Sequence, residues 1–230
     1  MGTKWDCGFD YPHGLACWLG NVASMCFFVV YVPQFILNFK RKSCNGFSLD
    51  STIIKLVGSS FLCFNSLFNG SGLPVFLYGS LNTAQHLLFL FQFSYYSSHK
   101  KSILISPIVL IPLVLAKLFP KSIKYTDLIK PICQILSHIP QLQQCIKLHT
   151  TLGCSLVGQH LNLIGGILGC FMCYLINEQS AKTWIIYFNS CFQALSMYLV
   201  AFWYHEMRLC DNSKRVRSDK ENSDSEPLLS

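Results

Sequence analysis

The chain has 230 residues, of which 51% are hydrophobic and only 13% are charged, and its mean hydropathy is +0.38. A soluble domain usually carries about 25% charged residues, so this composition excludes an ordinary soluble globular protein. The net charge of +7 suggests a nucleic-acid partner, but the placement of the basic residues indicates membrane topology instead. We therefore expect no nucleic-acid partner.

The apolar residues form blocks long enough to cross a lipid bilayer, for which a helix needs roughly 20 residues. They predict an all-α membrane protein with seven transmembrane helices, which lie at about 14–37, 47–69, 74–96, 102–119, 126–148, 154–176 and 182–205. Most of the 12 cysteines, Cys17 among them, lie within these segments. There we expect a cysteine to be a small packing residue rather than half of a disulfide.

The basic residues that flank these segments are distributed unequally between the two sides. Four lie on the side of the N-terminus: Lys4, Lys121, Lys124 and Lys182. Eleven lie on the other side: Lys40, Arg41, Lys42, Lys100, Lys101, Lys147, Arg208, Lys214, Arg215, Arg217 and Lys220. Because basic residues are enriched in cytosolic segments, the N-terminus is predicted to be lumenal and the C-terminus cytosolic.

The dipeptide Pro-Gln occurs twice, at Pro33-Gln34 and at Pro140-Gln141, and the two copies are 107 positions apart. At the same offset Gly46 aligns with Gly153 without a gap. Further identities at this offset are Cys26/Cys133, Lys40/Lys147, Ser48/Ser155 and Asn82/Asn189. The chain therefore contains two copies of one three-helix unit.

Three-helix units have the same orientation only if one further span separates them, so we predict two parallel repeats joined by a linker helix. Parallel repeats are a recognised transporter architecture, with the substrate site near the middle of the membrane between them. The predicted organisation is a lumenal tail at 1–13, repeat one at 14–97, the linker at 98–122, repeat two at 123–207 and a disordered cytosolic tail at 208–230.

A proline within a membrane helix removes one backbone hydrogen bond, which produces either an ordinary kink or a hinge. Two prolines at equivalent positions, each followed by an amide side chain, favour a pair of hinges. The predicted hinge residues are Pro33, Gln34, Pro140 and Gln141.

The segment YVPQFILNFKRKS at 31–43, followed by Gly46-Phe-Ser48, resembles the first motif of the PQ-loop family, especially of its cystinosin-like lysosomal members. The second copy, His138-Ile-Pro-Gln141 and then Gly153-Cys-Ser155, is similar but looser. SWEET sugar transporters share the same arrangement of three, one and three helices. The resemblance implies a carrier that moves a small solute, often an amino acid or cystine, out of the lysosome, sometimes together with a proton.

The resemblance also indicates candidate residues for solute binding. Asn82 and Asn189, related by the repeat, look similar to an asparagine pair that binds substrate in SWEET-like carriers. Asn162 stands where cystinosin-like proteins carry an acidic residue, and Lys55 is its equivalent in repeat one. An amide cannot carry a proton, whereas a lysine favours anionic partners. Lys55 either faces a cavity or a partner within the membrane, or it extends to the cytosolic surface or pairs with Asp50.

Proton coupling needs a side chain that titrates within the membrane, and histidine does so near neutral pH. His138 occupies the place of Tyr31 in the second motif and is the preferred proton candidate, although a hydrogen-bonded interior histidine is the simpler interpretation. Lys117 and Lys130 are predicted to extend to the nearer membrane surface.

Two short motifs concern sorting and modification. The tail residues Asp224, Leu228 and Leu229 resemble an acidic dileucine signal, which is read by clathrin adaptors on the cytosolic side. Asn69 begins an N-glycosylation sequon on the predicted lumenal side.

The sequence shows no nucleophile–base pair, no paired carboxylates and no complete set of metal ligands, so we expect no enzyme, no catalytic residue, no metal and no cofactor. The predicted function is export of a small organic solute, most plausibly an amino acid or derivative, from lysosomes or late endosomes. Two alternatives remain open: a membrane platform that recruits a cytosolic signalling partner, and an ER or Golgi factor that acts on lipid-linked sugars.

Overall fold

The structure is a computed structural model that describes residues 13–69, 73–96, 101–176 and 181–209. Every regular element in these ranges is a helix, which confirms the prediction of an all-helical fold. In repeat one the helices are α1 (His13–Val29), α2 (Val32–Arg41), α3 (Leu49–Phe68) and α4 (Leu73–Tyr96). A 3-10 segment (Ser102–Val109) and α5 (Leu110–Leu118) lie in the predicted linker. The helices that follow are α6 (Ile123–Thr126), α7 (Ile129–Leu136), α8 (His138–Lys147), α9 (Leu156–Leu175) and α10 (Ala181–Trp203).

The second helix of each repeat shows the internal similarity most clearly. Helices α3 and α9 both have 20 residues, and their first and last residues are 107 positions apart. Both begin with the same cap: the Ser48 hydroxyl accepts a hydrogen bond from the Ser51 N–H at 3.2 Å, and the Ser155 hydroxyl accepts one from the Gly158 N–H at 3.1 Å. Such a cap satisfies an N–H that has no partner within the helix, so a side chain that accepts a hydrogen bond, as serine does, is favoured at both positions.

Each Pro-Gln motif follows a break in its helix. Helix α1 ends at Val29 and α2 begins at Val32, so Pro33 lies in the first turn of α2. In repeat two, Ser137 separates α7 from α8, and Pro140 lies in the first turn of α8. Proline is tolerated in a first turn because the N–H that it lacks would have no helical partner there.

Four helical segments are long and apolar enough to cross a membrane: Gly14–Arg41, Leu49–Phe68, Leu156–Leu175 and Thr183–Trp203. A fifth is possible if Ser102–Leu118 and Pro120–Lys147, which meet at 112°, form one broken span. By length and composition, the structure thus supports four or five spans among the described residues and does not confirm all of the seven predicted. Helix α4 has 24 residues, but Asn82, Gln85 and His86 dilute its apolar composition.

The two repeats pack against each other through two equivalent pairs of helices. Within the repeats, α3 packs on α4 and α9 packs on α10. Between the repeats, α1 packs on α9 and α7 packs on α3. Adding 107 to the residue numbers of α1 gives the region that includes α7, and subtracting 107 from those of α9 gives α3. The two inter-repeat contacts are therefore equivalent. The interface is therefore approximately two-fold symmetric, and a site on its axis is built from both repeats.

The expectation that Cys17 is only a packing residue is wrong, since Cys17 is disulfide-bonded. The nine other cysteines of the described ranges are free thiols. Cys17 lies near the start of α1, and disulfides persist in oxidising compartments.

The loops that precede α3 and α9 cross at two glycines. A Cβ atom on Gly46 would lie 2.7 Å from the Gly153 Cα atom, and one on Gly153 would lie 2.5 Å from the Asn45 carbonyl oxygen. Gly46 also has φ +83°, a conformation that side chains with a Cβ rarely adopt. Both glycines are needed because the two backbones touch.

We predict that Gly46→Ala destabilises the protein by about 1–3 kcal/mol, because alanine adds backbone strain and a steric clash at the crossing. Thermal unfolding of the purified protein in detergent measures this loss. Asn45→Ala, in the same loop but with an exposed side chain, is the matched control and should unfold like the wild type. Equal stability of the two variants would contradict a tight crossing.

Candidate functional site

The glutamine of each Pro-Gln motif binds the backbone of the other repeat. Gln34 Nε2 donates to the Gly153 carbonyl at 3.0 Å, and Gln34 Oε1 accepts from the Ser155 N–H at 2.7 Å. Gln141 makes the same pair, donating to the Gly46 carbonyl at 3.0 Å and accepting from the Ser48 N–H at 2.9 Å. We call these four hydrogen bonds the glutamine lock.

A glutamine suits this role because its side chain carries both a donor and an acceptor, as a peptide group does. Gln34 and Gln141 are both 6% exposed, so water cannot replace the hydrogen bonds easily. A buried amide that loses its partner costs about 1–3 kcal/mol. The lock therefore fastens the start of α9 to α2 and the start of α3 to α8.

In repeat one, the lock continues into a chain of amides. Gln34 Nε2 also donates to Asn38 Oδ1 at 2.8 Å, and Asn38 Nδ2 donates to Gln92 Oε1 at 3.0 Å. Gln92 Nε2 in turn donates to the Phe35 carbonyl at 3.1 Å. This chain connects α2 to α4, and all three amide side chains are buried.

In repeat two, thiols replace that chain. Cys145 stands at the position of Asn38, and Gln141 Nε2 lies 3.6 Å from Cys145 Sγ and 2.9 Å from Cys154 Sγ. The two sulfur atoms are 3.6 Å apart. The hydrogen bond with Cys145 and burial together raise the pKa of the Cys154 thiol well above its usual value, so Cys154 is a thiol at neutral pH.

A cavity of about 60 Å³ lies against the lock, between the two repeats. A water molecule needs roughly 10–15 Å³, so the cavity has room for a few waters. Gln34 and Gln141 line it on the side of the lock, and the other lining residues come from both repeats. No aspartate or glutamate is among the residues that line it.

Lys55 lines the cavity, as the first of its two predicted placements requires. Its Nζ atom lies 5.4 Å from the centre of the Tyr31 ring, within the range of a cation–π interaction. In the described part of the chain, it has no ion-pair partner and no hydrogen bond. A lysine within a membrane costs about 2.5–3.5 kcal/mol on insertion scales, which is why such residues usually face a cavity or a partner.

Lys130 was expected at the membrane surface, but it is 7% exposed and lines the same cavity. Its Nζ atom lies 5.8 Å from the centre of the Tyr78 ring. It too lacks an acidic partner within the described ranges. A periodic signal in the sequence could have revealed it: Lys130, Gln134, His138 and Gln141 follow the helical spacing and all line the cavity.

Two amide oxygens that line the cavity have no hydrogen-bond donor. They are Oε1 of Gln134 on α7 and Oε1 of Gln159 on α9, and both atoms are buried. Buried polar atoms are normally hydrogen-bonded, so each such oxygen requires an explanation. The cavity therefore contains two ammonium groups and two acceptors that have no donor in the described structure.

Two further predicted residues line the cavity. Asn162 donates from Nδ2 to the Ser190 carbonyl at 3.2 Å, so α9 and α10 are joined where the resemblance implies an acid. The Nε2 atom of His138 is hydrogen-bonded to Ser196 Oγ, and its ring makes an edge contact with Phe192. His138 is thus both a satisfied interior histidine and a cavity residue.

Asn82 and Asn189 are not among the residues that line the cavity. Asn82 donates to the Tyr78 carbonyl at 3.0 Å, one turn earlier on α4. Each asparagine has one buried atom without a hydrogen bond, Oδ1 in Asn82 and Nδ2 in Asn189. Their predicted role in binding solute requires a conformation other than this one.

A second contact between the repeats lies near the opposite end of α3. Asn65 Nδ2 donates to Asp127 Oδ1 at 2.9 Å and to Thr126 Oγ1 at 3.0 Å. Asn65 is 17 residues after Ser48, so this contact is about 26 Å from the lock along the helix. The cavity lies between these two levels.

The end of α10 is also tied to the lock. The Glu206 carboxylate accepts hydrogen bonds from the Thr150 and Thr151 side chains and from the Thr151 N–H. Arg208 donates to the Thr151 carbonyl at 3.2 Å and to the Cys154 carbonyl at 2.8 Å. Glu206 and Arg208, which follow α10, therefore hold the loop that carries Gly153.

Other predicted sites lie away from the cavity. Asn69 is exposed, and its Nδ2 lies 3.5 Å from Asp127 Oδ2. Asp224, Leu228 and Leu229 lie outside the described residues. Within the described ranges, no group of three His, Cys, Asp or Glu side chains is arranged to hold a metal ion.

Comparison with known proteins provides independent support for the first motif. The family model described as "PQ loop repeat" matches residues 15–75. The chain is also 32% identical over 85 residues to the vacuolar histidine transporter YPQ3 of Saccharomyces cerevisiae. That match covers 37% of this chain and 29% of the yeast protein, so it spans less than a third of the relative's length. The resemblance is thus confirmed for the first Pro-Gln motif, which lies within the residues that match the PQ loop repeat model.

Proposed function

We propose that the protein is a membrane transporter that exports a small organic solute, an amino acid or derivative, from lysosomes or late endosomes. The observation that carries this proposal is the polar cavity between the two repeats, bounded by the glutamine lock. Parallel-repeat transporters bind their substrates at such an interface. The similarity to a vacuolar transporter of an amino acid supports the same class of solute.

The lock and the helix breaks together suggest how access alternates. Gln34 follows the break between α1 and α2, and Gln141 follows the break between α7 and α8. Bending at Pro33 and Pro140 therefore moves each glutamine relative to the loop that it binds. Opening the lock exposes the cavity to the side of Lys40 and Arg41, which the basic-residue distribution assigns to the cytosol. Separation of Asn65 from Asp127 opens the cavity to the opposite side of the membrane.

The cavity holds only a few waters in this conformation. A solute therefore enters when either the glutamine lock or the contact between Asn65 and Asp127 opens. Asn82 and Asn189 contribute to binding in that open form, where their unpartnered amide atoms become available. Lys55 and Asn162 line the cavity already. The substrate-binding set that we propose is therefore Asn82, Asn189, Lys55 and Asn162.

His138 is the proposed proton carrier, because it is the titratable imidazole that lines the cavity. Since Asn162 replaces the expected acid, uncoupled transport is the alternative within this function. The two versions differ in whether acid on the lumenal side increases the rate.

The proposed location is the lysosomal or late endosomal membrane, with a lumenal N-terminus. Three observations support it: the distribution of basic residues, the disulfide at Cys17 near the start of α1 and the vacuolar location named for the yeast relative. A clathrin adaptor that reads Asp224, Leu228 and Leu229 is the proposed sorting partner.

The first test uses Leu228→Ala/Leu229→Ala, which should redirect the protein to the cell surface with its lumenal face towards the bath. We expect uptake of at least one amino acid from a radiolabelled panel. Confirmed surface expression without uptake of any solute would overturn transport in favour of a platform. If the wild type resides in the ER or Golgi instead, the factor that acts on lipid-linked sugars becomes the better explanation.

We predict that His138→Gln retains uptake but abolishes its increase in an acidic bath, because a glutamine cannot carry a proton. Uptake is measured at about pH 7 and at about pH 5, on either side of the usual pKa of histidine. His149→Gln, an exposed histidine, is the control and should preserve the increase. An unchanged pH dependence in His138→Gln would show that His138 carries no proton.

We predict that Gln34→Glu weakens the lock, because a carboxylate cannot donate to the Gly153 carbonyl. A loss of roughly 1.4 kcal/mol raises the open population about tenfold. The readout is labelling of Cys154, which is 3% exposed, by a membrane-impermeant maleimide added to the cytosolic face of isolated organelles and located by mass spectrometry.

Two controls accompany this labelling experiment. Gln143→Glu places the same charge on the exposed face of α8 and should leave the labelling rate unchanged. Cys154→Ser identifies the labelled peptide. Equal labelling of Gln34→Glu and wild type would contradict a closure that depends on the lock.

A further inference from the structure

The cavity has an unusual charge balance. Lys55 on α3 and Lys130 on α7 both line it. Lys130 also packs across α3, since a Cβ atom on Gly58 would lie 3.5 Å from its Cδ atom. Two like charges on adjacent helices, with no carboxylate on the cavity wall, form a site that lacks its counter-charge.

The lysines are held in place by aromatic rings rather than by acids. The Lys55 ammonium lies over Tyr31 and the Lys130 ammonium lies over Tyr78. A ring face stabilises a cation without neutralising it, so each ammonium keeps the ability to bind an anion. Removing a charge from water is costly unless it is paired, and a bound anion would supply the pairing.

The cavity also offers two hydrogen-bond acceptors to a ligand. The Oε1 atoms of Gln134 and Gln159 lack a donor, and both residues line the cavity together with the lysines. An N–H or ammonium group on the ligand supplies the hydrogen-bond donor that these two oxygens lack. A ligand with two acidic groups and one amino group therefore matches the cavity in both charge and hydrogen bonding.

We propose that the solute is an acidic amino acid, whose two carboxylates pair with Lys55 and Lys130 and whose ammonium group binds the amide oxygens of Gln134 and Gln159. This inference rests on the proposed transport function and specifies its substrate class. A neutral amino acid leaves one lysine unpaired, and a cationic one adds a third positive charge to the cavity. The site therefore selects against both.

The test uses the full-length purified protein in liposomes and compares uptake of labelled glutamate and aspartate with that of glutamine, histidine and lysine. We expect the two acidic amino acids to be transported preferentially. Lys55→Met and Lys130→Met should each lower their uptake at least about tenfold, because each removes one of the two buried charge pairs. Lys55→Arg, which keeps the charge, should retain more uptake than Lys55→Met.

Lys117→Met is the matched control. Lys117 is an exposed lysine on α5 outside the cavity, so its loss should leave uptake of acidic amino acids unchanged. Thermal unfolding of each variant shows whether it is folded. Replacing a lysine without a counter-charge by methionine should not reduce stability, because an unpaired buried charge is removed.

The possible results separate this inference from the proposed function. Preferential uptake of glutamine, histidine or lysine would overturn the acidic substrate while transport stands. Uptake of acidic amino acids that is unaffected by both methionine variants would overturn the role of the lysines. Uptake of chloride or phosphate without uptake of acidic amino acids would make the cavity an inorganic anion site and overturn the proposal. Absence of transport of any solute by folded protein would overturn both.

Discussion

The exchange of hydrogen bonds by Gln34 and Gln141 is the interaction on which the arrangement of the molecule depends. Each amide binds one carbonyl and one N–H at the point where the second helix of the other repeat begins. This is possible only because Gly46 and Gly153 allow the two loops to touch. The Pro-Gln motif is thus half of a contact whose other half is the Gly-x-Ser sequence of the opposite repeat, 119 to 121 residues away for Gln34.

The contact between the loops and the shape of the cavity depend on the same two glutamines. The glutamines that fasten the loops also line the cavity, and the helix breaks that precede them lie at the same level of the interface. A movement that separates the loops changes the cavity wall at once. The chemistry of the wall is otherwise independent of the lock, since Lys55, Lys130 and the free amide oxygens come from positions deeper in α3, α7 and α9.

Much of this was accessible from the sequence, and the exceptions have physical causes. The internal offset predicted the paired helices and the equivalence of Lys55 with Asn162, and it aligned the two serines that cap α3 and α9. Local sequence could not reveal that each glutamine binds the other repeat, because that depends on the way the repeats are packed. Lys130 was assigned to the surface from its distance to the segment end, although the polar stripe on α7 and α8 pointed inwards. The symmetry argument placed Asn82 and Asn189 at a pocket that, in this conformation, neither lines. The seven predicted spans are not all confirmed, because polar side chains dilute α4 and breaks interrupt the region from Ser102 to Lys147.

The replacement of Asn38 by Cys145 makes the two halves of the lock unequal. Gln34 is supported by a chain of amides that reaches α4, whereas Gln141 directs its second N–H towards sulfur atoms, which are weak acceptors. Two identical halves would separate in either order with equal probability. In the alternating-access mechanism that we propose, the half that involves Gln141 separates first, because its rupture sacrifices less hydrogen-bond energy. A structure that is nearly symmetric in shape is therefore asymmetric in energy, and this asymmetry gives the opening a defined sequence of events.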